Sequence, residues 1–393
     1  MAISITGGVN VLVALLQELV RIPSPNPPGE SRQVAEFCFN FLKSKGFATE
    51  ILSPDGRAWS VVGVLGAADG PSILYHAHID TVPLGQRARW RDNPYSGAVV
   101  EDRVYGLGSV DDKACVAAML QAAADVAGSS EKLRGRLVVV CAADEEVGGQ
   151  LGTKWLVDAG HIPTCDFVVV GEQTRNRMAV ANKGVVRATF RVAGSTAHAT
   201  DPWRGCNAIN GMAHLVIALE QYQAVLSARQ PHPLLGVASI NVGVIEGGVS
   251  ANVVADACSI RVDRRLIPRE DPQVVIGELQ ANATSRQEVD SDRNYTVDSF
   301  VVSNWFETST DSAYLRRFLE ICNAESGSGA DQVGYLPGSD AKHLVAVARM
   351  GMVIFGPGTY EVAHSTDEYV EIGELGSTHR ILWEFARKTI LVE

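Results

Sequence analysis

The chain has 393 residues, of which 46% are hydrophobic and 20% charged, and a formal net charge of -11. That length exceeds one ordinary hydrophobic core and suits two domains, while the negative balance and the lack of basic runs argue against nucleic acid or an anionic membrane surface as partner. Seven cysteines without C-x-x-C spacing, set mostly among apolar neighbours, and an N-terminus lacking the basic start of a signal peptide point to reduced, buried thiols in a cytoplasmic protein.

In chain order, the apolar residues 11–16 are interrupted by Gln17 and Glu18, as in an amphipathic helix, and no apolar run approaches the roughly 18 residues that span a membrane. Residues 72–75 read as a short buried strand running into His78, with Asp80 two residues later. A histidine that binds metal through one ring nitrogen needs an acceptor for the other, and Asp80 could supply it. Residues 105–110 read as another strand end, leading into Asp111-Asp112-Lys113 and a helix over 114–127 that either aspartate could cap. Gly106-x-Gly108 is too short for a dinucleotide fingerprint, and the acidic residues beyond it fit metal better. The apolar run 137–143 ends in Asp144-Glu145-Glu146 before Gly148-Gly149, so two adjacent glutamates project in different directions. A third buried run, 167–170, ends in Gly171-Glu172.

From about Lys183 the pattern changes. Strands are expected at 184–193, 236–243 and 255–263 and helices at 206–226 and 272–282, a mixed order that suits an α+β sandwich. The run 352–355 then leads into the loop 356–364, which offers His364. Ligand groups in open α/β sheets collect past the carboxyl ends of strands, and two histidines with several carboxylates suit a pair of divalent ions such as zinc, cobalt or manganese with open positions for water. The expected organisation is α/β, with a catalytic domain split between 1–182 and 296–393 and a separate domain at 183–295.

The motifs resemble one family over nearly the whole chain: the acetylornithine deacetylase, succinyl-diaminopimelate desuccinylase and glutamate carboxypeptidase family of two-zinc amidohydrolases. The resemblance is carried by Leu19-Val20-Arg21-Ile22-Pro23-Ser24, His78-Ile79-Asp80, Gly106-Leu107-Gly108 with Asp111-Asp112-Lys113, Asp144-Glu145-Glu146, Gly171-Glu172, and Gly356-Pro357-Gly358 before Ala363-His364-Ser365-Thr366-Asp367-Glu368-Tyr369. The last of these looks most like the acetylornithine deacetylase branch. Two departures are Ala114-Cys115, where glycine often follows the lysine, and Gln173, where proline often follows the ligand.

The resemblance implies an α/β/α zinc-hydrolase domain with an inserted ferredoxin-like lid and dimerisation domain, acting as a homodimer. It implies His78, Asp111 and Glu172 as ligands of one metal and Asp111, Glu146 and His364 as ligands of the other, with a cis peptide bond after Asp111. Asp80 is then the partner of His78, and Glu145 the general base that moves a proton from the attacking water to the leaving amine. His198, in Gly194-Ser195-Thr196-Ala197-His198, resembles the histidine that reaches the partner subunit's site to stabilise the oxyanion. Arg265 and Asn252 resemble substrate-binding residues, Arg265 suited to a bidentate carboxylate contact or else a surface arginine on a strand, and the loop at Gly338-Ser339 helps line the pocket. Trp203, Tyr335 and Tyr360 either line an aromatic-tolerant pocket or simply pack. The implied activity is metal-dependent hydrolysis of an N-acyl amino acid or similar small carboxylate-bearing amide. A carboxypeptidase or dipeptidase acting on short peptides, a desuccinylase, or a hydrolase of a xenobiotic amide would use the same residues.

Overall fold

Apolar, β-branched runs bounded by loops become buried parallel strands in this chain, as expected where both sheet faces are covered. The computed structural model describes residues 5–326 and 331–392. Two compact units divide it: one comprises 1–180, 307–335 and 339–393, the other 181–306 with 336–338.

In the first unit the central strands lie in the sheet order Ala48–Leu52, Ser60–Gly66, Arg136–Ala142, Ser72–His78, Phe167–Val170 and Met352–Ile354. The last four are mutually parallel, and Ser60–Gly66 runs antiparallel to Arg136–Ala142. Every residue of Phe167–Val170 is buried. The helix Lys113–Gly128 is buried almost all round, and its alanines at 114, 117, 118, 122 and 123 let it pack between the sheet strand Ser72–His78 and the helix Ile372–Ile390. Beneath the sheet, Phe318 meets Phe355 and Phe385 edge-on with ring centroids 5.0 Å apart, the geometry favoured by aromatic quadrupoles.

The second unit holds an antiparallel sheet in the order Ser239–Gly247, Ala257–Leu266, Gly184–Ala193, Asn294–Ser303. Burial alternates along Gly184–Ala193, and its inward Val186, Phe190 and Val192 join Leu215, Leu219 and Leu279 from two helices in a separate core. Those helices, Ala208–Ala228 and Pro272–Val289, start at Asn207 and Asp271, whose side chains accept backbone N–H bonds as N-caps should. The inserted segment reaches Phe306 instead of ending at 295, because Asn294–Ser303 pairs with Val185–Ala193, with one irregularity at Ala188, and so belongs to this sheet.

Residues 105–110 are not a strand. Only Arg103–Tyr105 pairs, after which the chain turns, with Gly108 at φ +79°, where an L-residue would be strained. All seven cysteines are free thiols, six buried and Cys206 partly exposed. Among the described residues, no helix is long and apolar enough to cross a membrane.

Candidate metal centre

The parallel register sets the site. His78 lies opposite Ala142, and His76 opposite Val170, so the chain leaves Arg136–Ala142, Ser72–His78 and Phe167–Val170 at one common edge. His78 is the last residue of its strand, Glu172 follows Val170 by two residues, and Glu145 and Glu146 follow Ala142 within four. Asp144 turns the chain there with φ 76°, a left-handed conformation that aspartate tolerates better than most residues, and its carboxylate accepts Leu151 N–H at 2.8 Å. The short turn Glu145–Val147 that follows aims the two glutamates at different partners.

Asp111 is the hub. Its Oδ1 lies 3.0 Å from His78 Nε2, and its Oδ2 lies 3.1 Å from His364 Nε2. His364 Nε2 also lies 3.0 Å from Glu146 Oε2, while Glu146 Oε1 accepts Val82 N–H at 3.0 Å. His78, Asp111 and Glu146 place ligand atoms within 4.8 Å of one another. Glu172 is buried at 4% exposure, and its Oε2 accepts the hydroxyl of Tyr335 at 2.9 Å. Glu145 is directed elsewhere: its Oε1 lies 3.6 Å from Lys342 Nζ. The Asp111-Asp112 peptide bond is cis.

Several neighbours differ from the reading of the sequence. His78 Nδ1 lies 3.0 Å from the main-chain oxygen of Asp80 and 3.6 Å from its carboxylate, so the nearer acceptor is backbone. The Asp80 carboxylate is occupied instead by Glu145 N–H and Glu146 N–H, both at 3.2 Å, and by Asn26 Nδ2 at 3.0 Å, which ties the two-glutamate turn to the histidine strand. Asp112 sits at the N-cap position without a side-chain cap bond; its Oδ2 accepts His78 N–H at 3.3 Å. Glu368, quoted in a motif but given no role, accepts the N–H groups of Gly108, Val110 and Asp111 at 3.1, 2.8 and 3.0 Å and so fixes the loop that carries the hub. Its one sequence signal was an acidic residue just before a strand near His364. Lys342 follows the pocket loop at Gly338-Ser339 and Tyr335 was weighed as pocket lining or packing, but neither pattern showed that they meet Glu145 and Glu172, and the buried His76–Thr153 contact at 2.7 Å had no periodic or motif signal.

Residues 74–388 match the sequence model of Peptidase family M20/M25/M40. The chain belongs to this family. It is 28% identical over 354 residues to acetylornithine deacetylase of Vibrio cholerae serotype O1, covering 90% of each protein. Its fold is similar to that of a tripeptidase from Staphylococcus aureus, with a TM-score of 0.77 at 21% identity over 96% of this chain and 99% of the other. It is also similar to a dinuclear metal binding peptidase of the M20 family from Bacillus subtilis, with a TM-score of 0.70 at 16% identity over 98% and 100%. M20 membership makes the protein a metal-dependent amide hydrolase.

The electrostatics of this M20 site suit cations. Burial, then the charges of Asp111 and Glu145, push Glu172 well above the ordinary carboxylate range. Burial alone would lower His78, but hydrogen bonds to Asp111 and Asp80 outweigh it and raise it well above its usual value. Hydrogen bonds to Asp111 and Glu146 raise His364 to about 10. Protons thus stand in for positive charge among crowded carboxylates, and nitrogen and oxygen donors of this kind fit divalent ions of the zinc, cobalt or manganese type. Glu145 is raised to about 7, by burial first and the charge of Asp340 second, with Lys342 opposing.

The remaining candidates are divided between the two units. His198 is exposed, and its Nδ1 lies 2.8 Å from Thr200 Oγ1 and accepts Thr200 N–H at 3.2 Å. Asn252 is its neighbour across the bridge His198↔Val253, and its backbone oxygen accepts Ala199 N–H. Arg265 Nε is tied to Asp263 Oδ1 at 2.7 Å, while the adjacent Arg264 points to the opposite face, fully buried against Tyr222 and Glu270. Gly338 is exposed, and Ser339, in the first unit, is buried. Tyr335 is buried, Tyr360 half exposed, and Trp203 77% exposed.

Proposed function

We propose that the protein hydrolyses the amide bond of an N-acyl amino acid or a similar small amide bearing a carboxylate, acetylornithine-like substrates first among them. His78, Asp111 and Glu172 would hold one divalent ion, and Asp111, Glu146 and His364 the other, zinc being the first choice. The observation that carries this reading is Asp111, whose two carboxylate oxygens face two different histidines from distant parts of the chain. The 28% identical acetylornithine deacetylase supports the deacylase branch.

Such ions, when bound, supply polarisation of the amide carbonyl and acidify the attacking water. Glu145 does the proton work. A general base needs a free oxygen and an affinity for protons near the working pH, and Glu145 is raised to about 7 and held by Lys342 instead of joining the histidine cluster. It takes the proton from water as the C–O bond forms, then gives it to the amide nitrogen as the C–N bond breaks, leaving a carboxylic acid and an amine. Asp80 keeps Glu145 in place through the backbone N–H at 3.2 Å. His198 would act from one subunit of a homodimer on the other's substrate: Thr200 engages Nδ1, so Nε2 is the atom available to donate to the developing oxyanion. The second unit, 181–306 with 336–338, would serve as lid and dimerisation domain.

The test is hydrolysis of a panel of N-acetyl, N-succinyl, glutamyl and dipeptide substrates by protein stripped of metal and by protein reloaded with zinc or cobalt. Metal-dependent release of amine from N-acetyl amino acids, with dipeptides untouched, is the expected result. Cleavage of dipeptides alone would move the protein to the peptidase branch, and turnover by stripped protein would defeat the reading.

A further inference from the structure

Glu172 stands apart from the other candidate ligands in what surrounds it. Asp111 and Glu146 contact histidines, whereas the oxygen Oε2 of Glu172 accepts two side-chain donors, the hydroxyl of Tyr335 at 2.9 Å and Nε2 of Gln173 at 3.3 Å. The Tyr335 hydroxyl also lies 3.3 Å from Gln173 Oε1, so the three side chains close on one another. All three are buried: Tyr335 is 4% exposed, Glu172 4% and Gln173 3%. The arrangement joins residues far apart in the chain, because the strand Gln332–Tyr335 pairs with Met178–Asn182, the strand that follows the Glu172 loop.

A buried carboxylate free to rotate about its terminal torsion offers a metal a poorly directed ligand. Two donors fixed on one oxygen pin the carboxylate plane and leave the other oxygen as the one to coordinate. Partners of this kind around a ligand are worth roughly 10- to 100-fold in metal affinity.

We propose that Tyr335, with Gln173, is a positioning residue that orients Glu172 as a metal ligand, so that one of the two metal positions depends on the tyrosine hydroxyl and the other does not. This rests on the reading of Glu172 as a ligand. Gln173 is part of the device because its amide bridges the carboxylate and the phenol, a contact that proline at that position could not make. Removing the hydroxyl takes one hydrogen bond from Oε2 while leaving the ring in its buried place, so the fold is spared.

The experiment is titration of zinc into the metal-stripped full chain, in competition with a chromophoric chelator, for the native chain and for Tyr335→Phe, Glu172→Gln and the double variant. Native protein is expected to take up two equivalents. Tyr335→Phe should still take up two, one of them weakened about tenfold and the other unchanged, with thermal unfolding of the stripped protein like that of the native chain. The double variant should bind no more weakly than Glu172→Gln alone, because Tyr335 acts through that carboxylate. Two unchanged affinities in Tyr335→Phe, or equal weakening at both positions, would overturn the proposal. If instead Glu172→Gln keeps both native affinities, Glu172 is not a ligand, and the parent reading fails in a way that Tyr335→Phe by itself would not show.

Discussion

His78 is 3% exposed and is held through its backbone N–H and both ring nitrogens by Asp112, Asp80 and Asp111, whereas His198 is an exposed loop residue whose ring is tied only two residues along its own chain, to Thr200. The same contrast separates Asp111, fixed by Glu368 through its own N–H, from Arg265, whose guanidinium is occupied by Asp263 on the same strand. The metal cluster is therefore over-determined within one unit. The candidate substrate residues have positions set by local loops and pairs, and on the proposed reading they would act only once substrate or a second subunit meets them. Preorganisation of this kind is what a metal site needs, and adaptability is what a substrate-closing surface needs.

Breaking the rigid half should cost most. Glu145→Gln is expected to lower kcat by about a thousandfold, within the range for loss of a general base, with two metals still bound; steady-state kinetics with metal analysis checks it. Near-native turnover would remove Glu145 from the chemistry. Next, His198→Ala should lower kcat by roughly a hundredfold, the scale of one lost oxyanion donor. Hybrid dimers of His198→Ala and Glu145→Gln chains should regain activity, because one site then pairs an intact base with an intact histidine from the other chain. Hybrids as inactive as their parents would show that His198 does not work across subunits.

Arg265→Met should act more gently, raising KM about tenfold, the size of one charged hydrogen bond, with kcat little changed. If KM is unmoved, Arg265 serves only its pairing with Asp263. The smallest effect concerns stability of metal-stripped protein. Burial and the charge of Asp111 raise Glu368 from 4.5 to about 8, and hydrogen bonds to Asp111 and Glu146 raise His364 from 6.5 to about 10. Both groups hold more protons folded than unfolded, so their contribution is present at low pH and lost as pH rises through the folded values. Melting temperature of the stripped protein should fall between pH 5 and pH 9 on this account, in the roughly physiological span where these groups titrate, and added zinc should flatten that slope by replacing protons. A stripped protein that grows more stable with rising pH would contradict the picture.

Much of this was legible in the chain. The runs before His78, Glu145 and Glu172 are short and apolar, the last two rich in valine, so their burial in parallel strands follows from composition, and groups after parallel strands share an edge by geometry. Asp112 takes the N-cap position that local spacing favours, but its carboxylate makes no cap bond, because a tertiary contact to the His78 backbone N–H competes for it and wins. The end of the inserted unit was misplaced because Asn294–Ser303 alternates like any edge strand, and only its partner assigns it to a sheet.

By itself the sequence determined which residues are chemically able to bind metal and move a proton, and in which order strands and helices present them, because periodicity and residue type are local properties. Only the tertiary structure decided how those residues are oriented: that Asp80 serves His78 through its backbone oxygen, that Glu368 clamps the Asp111 loop, that Lys342 faces Glu145, and that Tyr335 reaches Glu172. The physical reason is that a hydrogen bond between residues far apart in the chain depends on angles and distances of a few ångströms, set by how whole elements pack and invisible to any local pattern.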